Sequence, residues 1–171
     1  MPSPNRGPTS NTPVFPRQGE AAARAAKEGG AAAVFCTPGK LAVDLRYEAL
    51  SDALVSAGVP FMSYLADGSL ESYLDSDPAA SILIGLDPDA TRRLVERAAA
   101  DDRVFGVGTD SESLYQCASG RIEALAVWSD YELAYLGLSA AVKAASGEKA
   151  ESVTVQSYVA NRSNLFAEPL A

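Results

Sequence analysis

Residues Val104 to Gly137 read VFGVGTDSESLYQCASGRIEALAVWSDYELAYLG, and this stretch decides the fold. A short apolar run, VFGVG, ends on Thr109-Asp110. A polar segment of helical character follows, and Gly120 closes it. A second apolar run, ALAV, ends on Trp128, and a long helix rich in Ala and Leu begins directly after Ser129-Asp130. Twice, a buried strand stops where a polar or aromatic side chain is delivered. In an open α/β sheet that edge is where ligands sit.

The same alternation runs through the rest of the chain. Arg17 to Lys27 is an Ala-rich helix stopped by Gly29-Gly30, and Ala31 to Cys36 is a short apolar strand. After the turn Thr37-Pro38-Gly39, residues Lys40 to Ala57 form an amphipathic helix with Leu50, Ala53, Leu54 and Ala57 on one face. Val59 to Leu65 is a second strand. The polar stretch from Ala66 to Ala79 holds one helical turn, Ser-Leu-Glu-Ser-Tyr-Leu. Ser81 to Leu86 is the third strand. Asp87 then serves as N-cap and Pro88 as the first position of a helix that runs to about Ala100. Arg103 to Val107 is the fourth strand, Ser111 to Ser119 a helix, Glu123 to Trp128 the fifth strand, and Tyr131 to Ala145 a helix closed by Gly147. The alternation of Val153 and Val155 makes Ser152 to Tyr158 a sixth strand, at an edge.

Short, wholly apolar strands that alternate with helices predict a doubly wound parallel α/β sheet in three αβα layers, with strand order 2-1-3-4-5. Every strand-to-helix loop then lies on one edge. These loops carry Thr37 to Lys40, Asp87, Thr109-Asp110 and Trp128 to Asp130. Arg46, nearly two turns into its helix, reaches back toward them.

A chain of 171 residues, 47% hydrophobic, has room for one domain with a real core. The balance of 14 basic and 22 acidic residues gives a net charge of −8. No basic stripe is visible, so nucleic acid is not an expected partner. There is no histidine, which removes the usual general base, the usual metal ligand and the ordinary catalytic triad. Cys36 and Cys117 show no CxxC pattern; a bridge between them and two buried free thiols both remain open. No apolar run approaches the roughly 18 residues of a membrane span. Residues 1–14 hold four of the ten prolines and no apolar core, so they read as a disordered lead-in rather than a signal peptide. Residues 15–166 form the domain and residues 167–171 a tail.

Several chemistries fail on the residues. CTPGKL invites a phosphate-loop reading, but the glycine that opens such a loop is missing and Leu41 stands where a hydroxyl would bind magnesium. There is no GxGxxG after a strand and no GxSxG elbow. A phospho-acceptor role for Asp87 would need an acidic pair after the first strand and a lysine after the fifth; those places hold Cys36-Thr37 and Trp128. No catalytic residue, metal or cofactor is therefore expected. Four candidates remain for ligand contact: Arg46, Asp87, Asp110 and Trp128. Each also has a plain structural role. The two aspartates cap helices, Arg46 pairs with Asp44 or Glu48, and Trp128 packs in the core. In favour of a ligand, a carboxylate and a guanidinium can accept from and donate to vicinal hydroxyls. The glycines before Asp110 leave room for a close approach. An indole face packs on sugar rings and other planar or apolar faces.

At these residues the chain resembles the sugar-type periplasmic binding proteins. PGKLAVDLRYEALSDAL is similar to the family's strand-turn-helix whose arginine, here Arg46, precedes a Gly/Ala-apolar pair, here Ala49-Leu50. ILIGLDPDATRRLVERA resembles the next strand, which ends in a polar pair. VFGVGTDSESLYQCASGRIEALAVWSDYELAYLG resembles a strand ending in Gly-x-Asp, a helix, a Gly-basic-Ile step, the last strand, and a helix entered through an aromatic residue. SGEKAESVTVQSYVANRSNL resembles the closing strand with its late asparagine, Asn164. The resemblance covers Phe15 to Phe166, and only the second half of such a protein: the C-terminal lobe with the final helix and strand. The first lobe's own strands are absent, so the chain is expected to be a fragment of a longer one or to work with a separate N-terminal lobe.

The resemblance implies that Arg46 and Asp110 hydrogen-bond sugar hydroxyls. Trp128 falls where the family often has an amide, and Leu86, just before Asp87, where it often has asparagine. These departures favour a less polar or unusual ligand. The implied function is binding of a small, carbohydrate-like ligand by the solute-binding component of an ABC-type importer. Its partner is then a membrane permease and its location the periplasm or the outer face of the cell membrane. The alternatives are the effector-binding domain of a lactose-repressor-type transcription regulator and, with no supporting nucleophile, an α/β enzyme domain. One lobe supplies half of the contacts, so weak binding is expected from this chain alone.

Overall fold

The central strands are apolar because both faces of their sheet are covered. The structure, a computed structural model, describes residues 14–37, 45–65, 68–76, 81–149 and 155–165. In chain order the elements are α1 Val14–Gly29, β1 Ala33–Thr37, α2 Leu45–Ala57, β2 Phe61–Leu65, α3 Ser69–Asp75 and β3 Ile82–Gly85. They continue with α4 Pro88–Arg97, β4 Arg103–Val107, α5 Ser111–Ser119, β5 Ala124–Trp128, α6 Asp130–Ala145 and β6 Ser157–Ala160. The strands form one six-stranded sheet in the order β2-β1-β3-β4-β5-β6. The first five are parallel, in the predicted order.

Side chains split between the faces with a period of two. Ile82, Ile84, Phe105, Val107, Ala124 and Ala126 join the core under α1 and α2. Leu83, Val104, Leu125 and Val127 join the core under α3, α4 and α5. Phe105, Leu50, Leu54, Ile84 and Leu86 are fully buried, and each such side chain contributes about 1.5–3 kcal/mol of transfer free energy. α1 lies close on α2 because Gly19 faces it: a Cβ there would stand 2.7 Å from Ala53 Cβ. The buried amide of Gln18 fixes α1 to the sheet, with Nε2 donating to Gly106 O at 2.5 Å. At the far edge of the sheet Arg103 pairs with Glu123 and Glu28.

Two expectations are corrected. The sheet is not wholly parallel, because β6 runs antiparallel to β5. That edge strand sits at Ser157–Ala160 rather than Ser152–Tyr158. Val155 is buried but precedes the ladder, and Val153 falls outside the described residues. Arg46 lies in α2, and the expected start of that helix at Lys40 lies outside the described residues. The span 38–44, the lead-in 1–13 and the tail after Leu165 lie outside the described residues.

Candidate functional site

Because β1 to β5 are parallel, their C-terminal ends share one edge, and a helix starts after each of them. Each of the four predicted residues follows or ends a strand on that edge in the chain. Arg46 opens α2 after β1, Asp87 follows β3, Asp110 follows β4 and Trp128 ends β5. Since β1, β3, β4 and β5 are neighbours in that order, the four stand in a row across the sheet.

Each aspartate first serves its helix. Asp87 Oδ1 accepts from Ala90 N at 2.9 Å, and Pro88 occupies the first turn of α4. Asp110 Oδ1 accepts from Ser113 N at 2.9 Å, and its Oδ2 accepts from Ser113 Oγ at 2.7 Å. The Ser113 hydroxyl and then the Ser113 amide hold the Asp110 carboxyl below its ordinary pKa. Asp110 therefore stays ionised. A carboxylate offers about four acceptor sites; two are used on Ser113, and the group is exposed. It also borders an open groove of about 520 Å³ between α4 and α5, with Pro88, Thr91, Ser113 and Ile122. Arg46, Asp87 and Trp128 are not among the residues that line this groove. Arg46 is partly buried and already engaged by neighbouring groups.

The glycines of the edge do not hold space for a ligand. A Cβ on Gly106 would lie 2.2 Å from Thr91 Cγ2, and one on Gly85 would lie 2.7 Å from Thr91 Cα. Thr91 of α4 thus fills the gap between β3 and β4. Its Oγ1 donates to Asp87 O at 2.8 Å and accepts from Val107 N at 2.9 Å. Gly108 likewise makes room for Ser113, whose Oγ would be 2.5 Å from an added Cβ. The expectation of close ligand approach at this glycine-rich strand end is corrected: helix side chains occupy it.

Trp128 is half-buried and packs against the core under α1. Its Nε1–H donates to Asp130 Oδ1 at 2.8 Å, and Asp130 Oδ2 accepts from Thr109 Oγ1 at 2.5 Å. From the sequence, Asp130 belongs to the loop between β5 and the following helix, with no contact assigned to it. In space it ties the exit of β4 to the exit of β5 and orients the indole; its position two residues past the tryptophan was the available signal. Ser129 is the N-cap of α6, accepting from Glu132 N at 3.1 Å. Asn164 is spent on its own turn, with Oδ1 accepting from Asn161 N and Nδ2 donating to Val159 O. Cys117 is a free thiol, and burial pushes it up to about 11; the Cys36 side chain lies outside the described residues. Among the described residues no group of three His, Cys, Asp or Glu side chains could hold a metal ion. Among them, too, no helix is long and apolar enough to cross a membrane.

Five parallel strands in this order, with an antiparallel strand added after β5, make a mixed α/β fold that recurs in solved solute-binding proteins. Three solved structures of sugar-binding proteins illustrate the likeness of fold. The glucose-galactose binding protein GanP of Geobacillus stearothermophilus superposes with a TM-score of 0.70 at 16% identity, over 89% of this chain and 61% of its own. The Caulobacter myo-inositol binding protein, bound to myo-inositol, gives 0.70 at 20% identity, over 90% and 60%. An ABC transporter solute-binding protein of Agrobacterium vitis, bound to alpha-D-tagatopyranose, gives 0.71 at 17%, over 89% and 58%. The chain thus spans about three fifths of the length of these proteins, and at such identities the likeness is one of fold. No protein-family model matches the sequence, and no curated protein does.

Proposed function

We propose that this chain binds a small carbohydrate-like ligand at the C-terminal edge of its sheet, as part of the solute-binding component of an ABC-type importer. The observation that carries the reading is the row Arg46, Asp87, Asp110 and Trp128 on a lobe whose fold recurs in sugar-binding proteins. Asp110 accepts from ligand hydroxyls with the acceptor capacity left over from Ser113. Arg46 donates, and the Trp128 indole, oriented by Asp130, covers a ring face. Asp87, whose Oδ1 is committed to Ala90, contributes its second oxygen. In this reading the macromolecular partner is the membrane permease, and the chain works on the outer side of the membrane.

One sheet edge gives one wall of a site, so affinity is set near 1 mM, roughly 4 kcal/mol. Calorimetric titration of the chain with arabinose, glucose, galactose, tagatose and myo-inositol tests this. Binding of at least one is expected, weakened about tenfold by Arg46→Ala and by Asp110→Asn. The asparagine keeps the helix cap, so loss there reports the missing charge rather than a damaged fold. Unchanged affinity in both variants, or no heat with any sugar, overturns the reading.

A further inference from the structure

Gln18 is the one polar side chain that α1 buries; its companions on the buried face are Val14, Phe15, Gly19 and alanines. The side chain is fully buried, and its Oε1 has no hydrogen-bond partner among the described residues. An orphaned acceptor of this kind costs stability that an apolar side chain of similar size would not lose. The other end of the amide accounts for its presence. Nε2 donates to Gly106 O at 2.5 Å and to Ala124 O at 3.5 Å.

Gly106 O and the amide of Val107 belong to a single peptide group, which is planar and stiff. A side chain holds its opposite end as well. Val107 N donates to Thr91 Oγ1 at 2.9 Å, and Thr91 Oγ1 donates to Asp87 O at 2.8 Å. Every donor thus points the same way, from Gln18 in α1 through β4 and Thr91 to Asp87, and bonds in such a series polarise one another. The sheet leaves a gap for this relay. Pairing of β3 with β4 stops at Ile84 and Phe105, so Thr91 takes the place of a β3 partner for Val107. On the other side Gly106 pairs with Leu125, and Gln18 adds a tie from the helix layer. Asp87 receives the last bond. Its carbonyl also accepts from Thr91 N at 2.9 Å, and its Oδ1 accepts from Ala90 N at 2.9 Å. The carboxylate and the relay therefore share one turn.

We infer that Gln18 is a positioning residue: it transmits the placement of α1 across the sheet to the turn at Asp87. A shift of α1 away from β4 lengthens the first bond and slackens that turn. The coupling itself needs no ligand; only the description of Asp87 as a ligand contact rests on the function proposed above.

Amide hydrogen exchange of the full chain without ligand, read residue by residue by NMR, tests it. Gln18→Met keeps the length of the side chain and removes the donor, and Gln18→Leu does so with a second shape. In both, the Ala90 amide is expected to exchange about fivefold faster, the equivalent of one net hydrogen bond. The Ser113 amide is the control: it bonds to Asp110 Oδ1 in the same kind of cap, but no bond of the relay reaches it. Its rate stays as in the wild type. In a Thr91→Val background, where the hydroxyl is gone, Gln18→Met no longer changes the Ala90 rate. Equal acceleration at Ala90 and Ser113 overturns the inference, because loosening of the whole fold does that. So does an unchanged Ala90 rate, or a response at Ala90 that persists in the Thr91→Val background. Since no sugar is present, a failed sugar titration leaves this result standing.

Discussion

Asp110 shows how one side chain is shared between a helix and a cleft. It caps α5 through both carboxylate oxygens, and these bonds stabilise its charged form. Its folded pKa therefore lies below the unfolded value of about 3.9. Between the two values the unfolded chain binds more protons, so stability rises with pH there. The contribution is fully present above about pH 4 and is lost as pH falls through the folded pKa. Asp110→Ala is expected to cost about 1 kcal/mol at neutral pH, the usual value of a lost N-cap. Urea midpoints at pH 7 and pH 3 measure both effects. The gap between wild type and variant narrows on acidification; a gap that stays constant means the ionised cap is not what stabilises α5.

At the scale of elements, the approach of α4 to the sheet is governed by Thr91 and two glycines. Gly106→Ala drives a methyl into Thr91, and Thr91 cannot retreat without breaking its bond from the buried Val107 amide. Overpacking of this kind costs about 1–3 kcal/mol. Truncating Thr91 to alanine removes the two nearest atoms of the clash, leaving Cβ at 3.0 Å, but it also leaves that amide unpaired, a cost of about 1–3 kcal/mol. The two changes touch, so their energies are not additive. A double-mutant cycle by chemical denaturation should find the pair less damaging than the sum of its members. Simple additivity would show that the contact is not what restricts Gly106.

The same elements show what sequence makes legible. β4 was readable to the residue, and Asp87-Pro88 announced the start of α4, because caps and apolar runs are local signals. The glycines of β4 were misread as room for a ligand, since only the folded chain shows which helix fills the space. β6 was placed too early because a period-two pattern says nothing about where an antiparallel partner stops. The placement of Asp87, Asp110 and Trp128 at the same end of the sheet was legible once the strands were known to be parallel; their contact with a ligand belongs to the proposal. The bond from Thr109 to Asp130 was not, because Thr109 lies on another loop, 21 residues away.

For the whole molecule, the distribution of burial predicts a steep gradient of local stability. β3, β4 and β5 are covered on both faces, and every residue of β3 is buried. Their amides open only when the chain unfolds globally, at a free energy of about 5–15 kcal/mol. α6 hangs from the same sheet through Ser129 and Asp130, yet contributes no buried residue to either core. An uncovered helix of this length is marginal in water, since most helical stability in proteins comes from tertiary packing. Hydrogen exchange on the chain at low micromolar concentration separates the two regimes. Amides of Val104 to Val107 and Leu125 to Val127 should exchange at the rate set by global unfolding. Those of Leu133 to Val142 should exchange orders of magnitude faster. Protection in α6 equal to that in β4 would mean that packing within the chain supports the helix as firmly as it supports the sheet.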